Sequence, residues 1–211
     1  MAKSNYGPYG VSINYRVNVQ TGGDLEKALS QHFSGLKSGA YKNFNLLAYR
    51  NWAGPVTHYH AFIPFEKFGD LDNWPSSSGD HATAESGAQS AGAGTALGSD
   101  SKFLELVDSL SRVPQGAPAA YVMSIEYRLK PGAADEFEKS AGKALNGGGV
   151  ESVLTYRSFA GTTDSYHVAL PFNKFADLDN WKSTGGVLTG DVVKHVQVSF
   201  AELVPSLSNP L

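Results

Sequence analysis

The sequence predicts an α+β fold made of two tandem βαββαβ units. Two observations carry this. The block Tyr59–Trp74, YHAFIPFEKFGDLDNW, returns as Tyr166–Trp181, YHVALPFNKFADLDNW, with 11 of 16 positions identical. Repetition at that density marks a chain built from two copies of one supersecondary unit. Each copy also holds four segments that alternate with period 2, and a stretch of helical period between the first and second.

In the first copy the strands are expected at about residues 11–19, 44–52, 58–64 and 103–107, and in the second at about 121–129, 151–159, 165–171 and 198–204. After the first strand of each copy an apolar stripe runs at helical spacing. It is Leu25, Ala28, Leu29, Phe33 and Leu36 in one copy, and Ala134, Phe137, Ala141, Ala144 and Leu145 in the other. Asp24 and Asp135 fall in the first turn, where negative charge suits the helix dipole. Gly54 and Gly161 mark the turn between the second and third strands. A second helical stretch is expected from Asp70 and Asp177, with the aspartates as caps and Leu71 and Trp74 packed beneath.

Further landmarks extend the alignment. Ile13–Arg16 pairs with Ile125–Arg128 at an offset of 112, Tyr49–Gly54 with Tyr156–Gly161 at 107, and Phe103–Val107 with Phe200–Val204 at 97. The falling offset places 5 extra residues in the first helical region of the first copy and 10 in its second. Residues 75–100 are about two-thirds Ser, Gly and Ala, a composition of loop rather than packed core. The repeats divide as residues 1–115, with that insertion at about 75–100, and 116–211.

A chain of 211 residues buries enough surface to need no covalent staple, and it has no cysteine for disulfide, thiolate or nucleophile. A net charge of −3, with 18% charged residues, gives no footprint for nucleic acid. No apolar run reaches the ~18 residues of a membrane span. The opening MAKSNYGPYG lacks the apolar core of a signal peptide, so a cytoplasmic, soluble protein is expected; a leader already removed would leave no trace.

Each predicted unit is of the split-βαβ, ferredoxin-like kind, with its helices on one sheet face. Two such units can press their bare faces together. With the segments YHAFIPFEKF–DLDNW and YHVALPFNKF–DLDNW, the chain resembles the dimeric α/β-barrel superfamily, of antibiotic-biosynthesis-monooxygenase type, in a single-chain, pseudo-dimeric form. The resemblance covers nearly the whole chain. It implies a wide functional range: cofactor-free monooxygenases, polyketide cyclases, muconolactone isomerases, haem-binding enzymes and proteins without known activity. A shared fold does not choose among these. No cofactor is predicted from the residues, and haem stays open through the resemblance alone. His32, His81 and His195 have no counterpart between copies.

Candidate site residues follow from strand alternation. If the more apolar row of every strand faces the helices, the inner rows carry Arg16, Arg50, His60 and Glu105 in one copy, and Arg128, Arg157, His167 and Glu202 in the other. In the strand order 4-1-3-2, Glu105, Arg16 and His60 then lie side by side, as do Glu202, Arg128 and His167. Glu126 adds a carboxylate only in the second copy. Buried charges of this kind require pairing, water or a ligand. In one reading Arg–Glu pairs stitch two sheets and fix their register. In the other the histidines move a proton as catalytic groups, and the arginines and glutamates bind and orient an anionic substrate. His58 and His60 share a strand face, but Ser165 replaces His58 in the second copy, so no metal is predicted. The DLDNW blocks lack the glycine and distal glutamate of a calcium loop. No phosphate loop, G-x-S-x-G elbow or Ser–His–Asp pattern occurs.

The leading expectation is a small-molecule-binding protein or cofactor-independent enzyme acting on an aromatic or carbonyl compound between the sheets. The alternative is a non-catalytic structural or assembly protein. The expected partner is a small molecule, not nucleic acid or a membrane. The chain would be a pseudo-dimeric monomer, or a homo-oligomer through sheet edges or helices.

Overall fold

The computed structural model describes residues 6–17, 26, 27, 30, 45–53, 58–73, 96–147, 150–160, 164–181 and 190–210. Eight strands form one closed antiparallel barrel: β1 (Tyr9–Val17), β2 (Leu47–Ala53), β3 (His58–Phe65), β4 (Ala96–Leu106), β5 (Tyr121–Leu129), β6 (Leu154–Ser158), β7 (Ser165–Phe172) and β8 (Val193–Leu203). Around the ring the order is β1-β3-β2-β8-β5-β7-β6-β4.

This corrects the expected fold class. The chain is not two tandem βαββαβ ferredoxin-like repeats with bare faces pressed together. The strands that would be outer edges, β2 and β4, hydrogen-bond to β8 and β6 instead. An open edge leaves a row of unpaired N–H and C=O groups, and closing the ring satisfies them. Among the described strands, no edge is left open.

Of the predicted helices, the one described along its whole length is α1 (Ala134–Gly147). Of its predicted stripe, Phe137, Ala141 and Leu145 are buried with Ile125, Tyr127, Val168 and Leu170, Ala134 packs against them partly buried, and Ala144 lies outside the cluster. Phe137 lies between the rings of Tyr127 and Tyr166, at 5.0 and 4.7 Å. The matching stripe of the first copy and Asp24 lie outside the described residues, though Glu26, Lys27 and Ser30 are helical.

Among the described residues, the starts of the second helical stretches are 3-10 segments, Phe68–Asn73 and Phe175–Asn180. Asp70 Oδ2 accepts from the N–H groups of Glu66 and Lys67, and Asp177 Oδ2 from those of Asn173 and Lys174. The aspartates cap from inside the turn rather than as its first residue: Asp177 stands at the third helical position and accepts from the N-cap Lys174, and Asp70 accepts likewise from Lys67. Leu71 and Trp181 pack against the outer core. Trp74, Gly54 and Gly161 lie outside the described residues.

β4 begins at Ala96, inside the stretch expected to be loop, and continues to Leu106. Pairing with β1 carries it there, with Asn14 opposite Asp100 and Ser12 opposite Lys102. No helix among the described residues is long and apolar enough to cross a membrane.

Two apolar layers define the barrel wall. Outside, Val11, Tyr59, Ala61 and Ile63 form one buried cluster, and Ile125, Tyr166, Val168 and Leu170 pack under α1 in another. Inside, Leu47 and Tyr49 of β2 meet Leu104 of β4, Leu154 and Tyr156 of β6 and Ala201 of β8. Only the lumen brings these four strands together, so this third cluster is the barrel floor.

Candidate functional site

The floor decides where the polar rows point. On β1 and β3 the apolar row faces outward, as expected, and Asn14 and His60 face the lumen. On β2, β4, β6 and β8 the apolar row lines the floor, so Arg50, Glu105, Arg157 and Glu202 point outward. Assigning every apolar row to the helices failed there because a narrow barrel must also fill its own interior. Glu105 therefore does not lie beside Arg16 and His60, nor Glu202 beside Arg128 and His167.

The outward charges pair across the two junctions that close the ring. Arg50 stands opposite Glu202 on β2 and β8, and Arg157 opposite Glu105 on β6 and β4. Arg50 donates to Glu202 through Nε at 3.0 Å and through Nη2. Arg157 Nη2 donates to Glu105 Oε2 at 2.7 Å. Each arginine also reaches a helical glutamate: Arg50 Nη1 is 2.6 Å from Glu26 Oε1, and Arg157 Nη1 is 3.6 Å from Glu138 Oε1. Tyr59 and Tyr166 donate to the same glutamates at 2.7 Å. Burial, then the glutamate, pushes the Tyr59 hydroxyl up to about 12. Glu26 and Glu138 were missed in sequence, yet the offset of 112 that aligns Arg16 with Arg128 also aligns them.

Above the floor lies a buried polar tier. In the first half, His60 Nδ1 is 2.6 Å from Asn14 Oδ1, and Nε2 is 3.0 Å from Asn51 Oδ1. Asn14 Nδ2 donates to Asp100 Oδ2 at 3.0 Å, which turns its oxygen toward His60. A neutral ring has one N–H, and this arrangement places it on Nδ1. Nε2 is then an acceptor, served by Asn51 when its carboxamide presents the nitrogen. Burial, then the nearby His58, lowers His60 to about 4.

The second half differs. Glu126 replaces Asn14 and stands opposite His167, while Ser158 replaces Asn51. Lys102 Nζ donates to Glu126 Oε1 at 2.9 Å, and Arg128 Nε lies 3.6 Å from the same oxygen. Burial alone would raise the Glu126 carboxyl; the charge His167 can carry, then Lys102 and Arg128, hold it below its ordinary value. Burial, then Lys102, lowers His167 to about 4. Its Nε2 is buried without a hydrogen-bond partner, and so is Ser158 Oγ. At neutral pH the tier thus holds an ionised glutamate, bonded to Lys102, and two neutral imidazoles.

Arg16 and Arg128 close the row. Both are exposed at the C-terminal ends of β1 and β5, strands that run parallel, so they flank one end of the barrel. Asn14, Asn51, Asp100, Lys102 and Ser158 were not singled out in sequence. Asp100 and Lys102 fell in or beside the expected loop, because Asp100, Ser101 and Lys102 are all polar and carry no alternation that would read as strand. Among the described residues no three His, Asp or Glu side chains come together as a metal site. No direct sign of a cofactor appears either; a haem would find its ligand in His167 Nε2, the buried imidazole nitrogen without a partner.

No protein-family model matches the chain, and no curated protein matches it in sequence. Solved structures do match in fold. A proposed monooxygenase from Lactobacillus acidophilus NCFM is 14% identical with a TM-score of 0.60, covering 97% of this chain and 99% of that one. An anthrone oxidase-like protein is 10% identical with a TM-score of 0.63, covering 96% and 94%. A mutant chlorite dismutase from Candidatus Nitrospira defluvii is 9% identical with a TM-score of 0.54, covering 97% and 94%. All belong to the dimeric α/β-barrel superfamily, so the resemblance read in the sequence holds for the fold.

Proposed function

We propose that this chain is a cofactor-independent enzyme that binds an aromatic or carbonyl compound in the barrel lumen and moves a proton with His167. The observation that carries this is the buried, unpartnered Nε2 of His167 in a tier that also holds Glu126 and Lys102. A neutral imidazole beside an ionised carboxylate is equipped to accept a proton from a carbon or oxygen acid. His60 is the weaker candidate, because Asn14 and Asn51 occupy both of its nitrogens. Arg16 and Arg128 would orient an anionic substrate at the barrel end. Arg50, Arg157, Glu105 and Glu202 would act on the substrate only indirectly, through the junctions they pair across. The monooxygenase and oxidase names of similar folds agree with small-molecule chemistry but choose no substrate.

The test is solvent-deuterium incorporation into a panel of aromatic ketones and phenols. Exchange that is lost in His167→Gln and kept in His60→Gln supports the reading. Exchange that is absent from the panel, or unchanged in His167→Gln, sinks it. A haem-dependent reading has its own readout, a Soret band in the purified protein.

The second reading, a non-catalytic structural protein, is favoured by the outward charges, all four of which are paired. It predicts no saturable small-molecule binding in the lumen.

A further inference from the structure

We propose that the second half of the lumen binds the edge of a lactam or carboxamide, its carbonyl oxygen on Ser158 Oγ and its N–H on His167 Nε2. This rests on the lumen being a ligand site and names the chemistry of the ligand.

The chain contains its own template for the contact. In the first half, the Asn51 carboxamide lies against His60 Nε2, with Oδ1 placed at 3.0 Å; because Asn14 takes the ring N–H at Nδ1, Nε2 is an acceptor and is satisfied with this carboxamide turned nitrogen-first. Asn51 aligns with Ser158 and His60 with His167, both at the offset of 107. The strand registers agree, with Tyr49 opposite His60 and Tyr156 opposite His167. Ser158 therefore stands to His167 as Asn51 stands to His60. Serine ends in a hydroxyl where asparagine carries a whole carboxamide, so the shorter side chain does not reach the ring.

The result is two buried polar atoms on neighbouring strands, Ser158 Oγ and His167 Nε2, neither with a partner. Native proteins seldom leave buried polar atoms unpaired, and such atoms mark places where something else binds. Their chemistry is complementary. A hydroxyl can donate, and a neutral imidazole accepts at one nitrogen. A donor and an acceptor on neighbouring strands match an O=C–N–H edge, the group that the Asn51 side chain carries in the first half. A plain ketone would satisfy only the serine, and an ammonium only the histidine.

The experiment uses 2-pyridone, with 1-methyl-2-pyridone as the probe lacking the N–H. Histidine ring nitrogens are followed by nitrogen-15 NMR in the full chain. The expected result is a saturable shift of His167 Nε2 by 2-pyridone, with His60 unmoved. The N-methyl probe should bind at least about tenfold more weakly. Ser158→Asn restores the first-half residue and should abolish binding by filling the site with its own carboxamide. Should that variant fail to fold, Ser158→Ala removes the donor at smaller volume and should weaken 2-pyridone about tenfold. Equal binding of the two probes, a shift of His60 instead, no saturable shift, or binding unchanged in the serine variants each overturns the proposal. Failures separate cleanly. Binding without deuterium exchange in any ketone removes the proton-transfer reading and leaves this one. Exchange that persists while Ser158→Asn still binds 2-pyridone does the reverse.

Discussion

Arg157 stands directly opposite Glu105 across the junction of β6 and β4, donating from Nη2 to Oε2 at 2.7 Å. Arg50 and Glu202 make the equivalent pair where β2 meets β8. These pairs fix register more than they stabilise. Their side chains are 33–43% exposed, where an ion pair contributes only about 0.2–1 kcal/mol. Glu105→Gln should therefore lower unfolding free energy by less than about 1 kcal/mol, and less still in high salt. Urea denaturation at two salt concentrations checks this. A loss of several kcal/mol would show that the pair is desolvated as the barrel closes.

The floor predicts a size-compensated pair. A Cβ on Gly10 would come within 2.2 Å of the Phe62 ring. Phe62 in turn packs on Tyr156 across the lumen at 5.1 Å. The second copy solves the same packing in reverse, with Val122 aligned to Gly10 and Ala169 aligned to Phe62. Gly10→Val should cost about 1–3 kcal/mol by overpacking. Adding Phe62→Ala should recover part of that loss, so that the double mutant is more stable than the sum of the singles predicts. A strictly additive cycle in thermal or urea unfolding would refute the coupling.

Acid stability follows from the two histidines. Both fold with pKa values lowered to about 4, against about 6.5 unfolded. Between those values the unfolded chain binds more protons than the native one. Their contribution is therefore complete above about pH 6.5 and is lost as pH falls toward 4. The slope is up to about 1.4 kcal/mol per pH unit for each histidine. Urea midpoints measured from pH 7 to 4.5 should fall steeply in the native sequence and less steeply in His60→Gln. Equal slopes would mean that His60 titrates normally.

Phe137 is fully buried between Tyr127 and Tyr166, so Phe137→Ala should cost about 3–5 kcal/mol. Glu138→Gln should cost far less, since it leaves that packing in place and only weakens the contacts to Tyr166 and Arg157. Thermal unfolding of the two variants, read by circular dichroism, ranks them. A reversed ranking would place the anchoring of α1 in its polar contacts.

Sequence by itself determined the duplicated blocks, a core of each of the eight strands, much of the α1 stripe and the aspartates of the 3-10 turns, because period and turn signals are local properties of the chain; the first halves of β4 and β8 were not legible in it. It also put His60 and His167 on inner rows, with Glu126 as an added carboxylate in the second copy, since on β1, β3, β5 and β7 one row is clearly apolar and goes outside. Tertiary structure alone decided the closed ring, since whether an edge strand pairs with the other half is a non-local choice. That choice reversed the remaining rows. Leu47, Tyr49, Leu104, Leu154 and Tyr156 turned inward to fill the floor, and Arg50, Glu105, Arg157 and Glu202 turned outward to pair across the junctions. It also decided that His60 is held on both nitrogens while His167 keeps one unpaired. Alternation separates the two faces of a strand, but only closure says which face is inside.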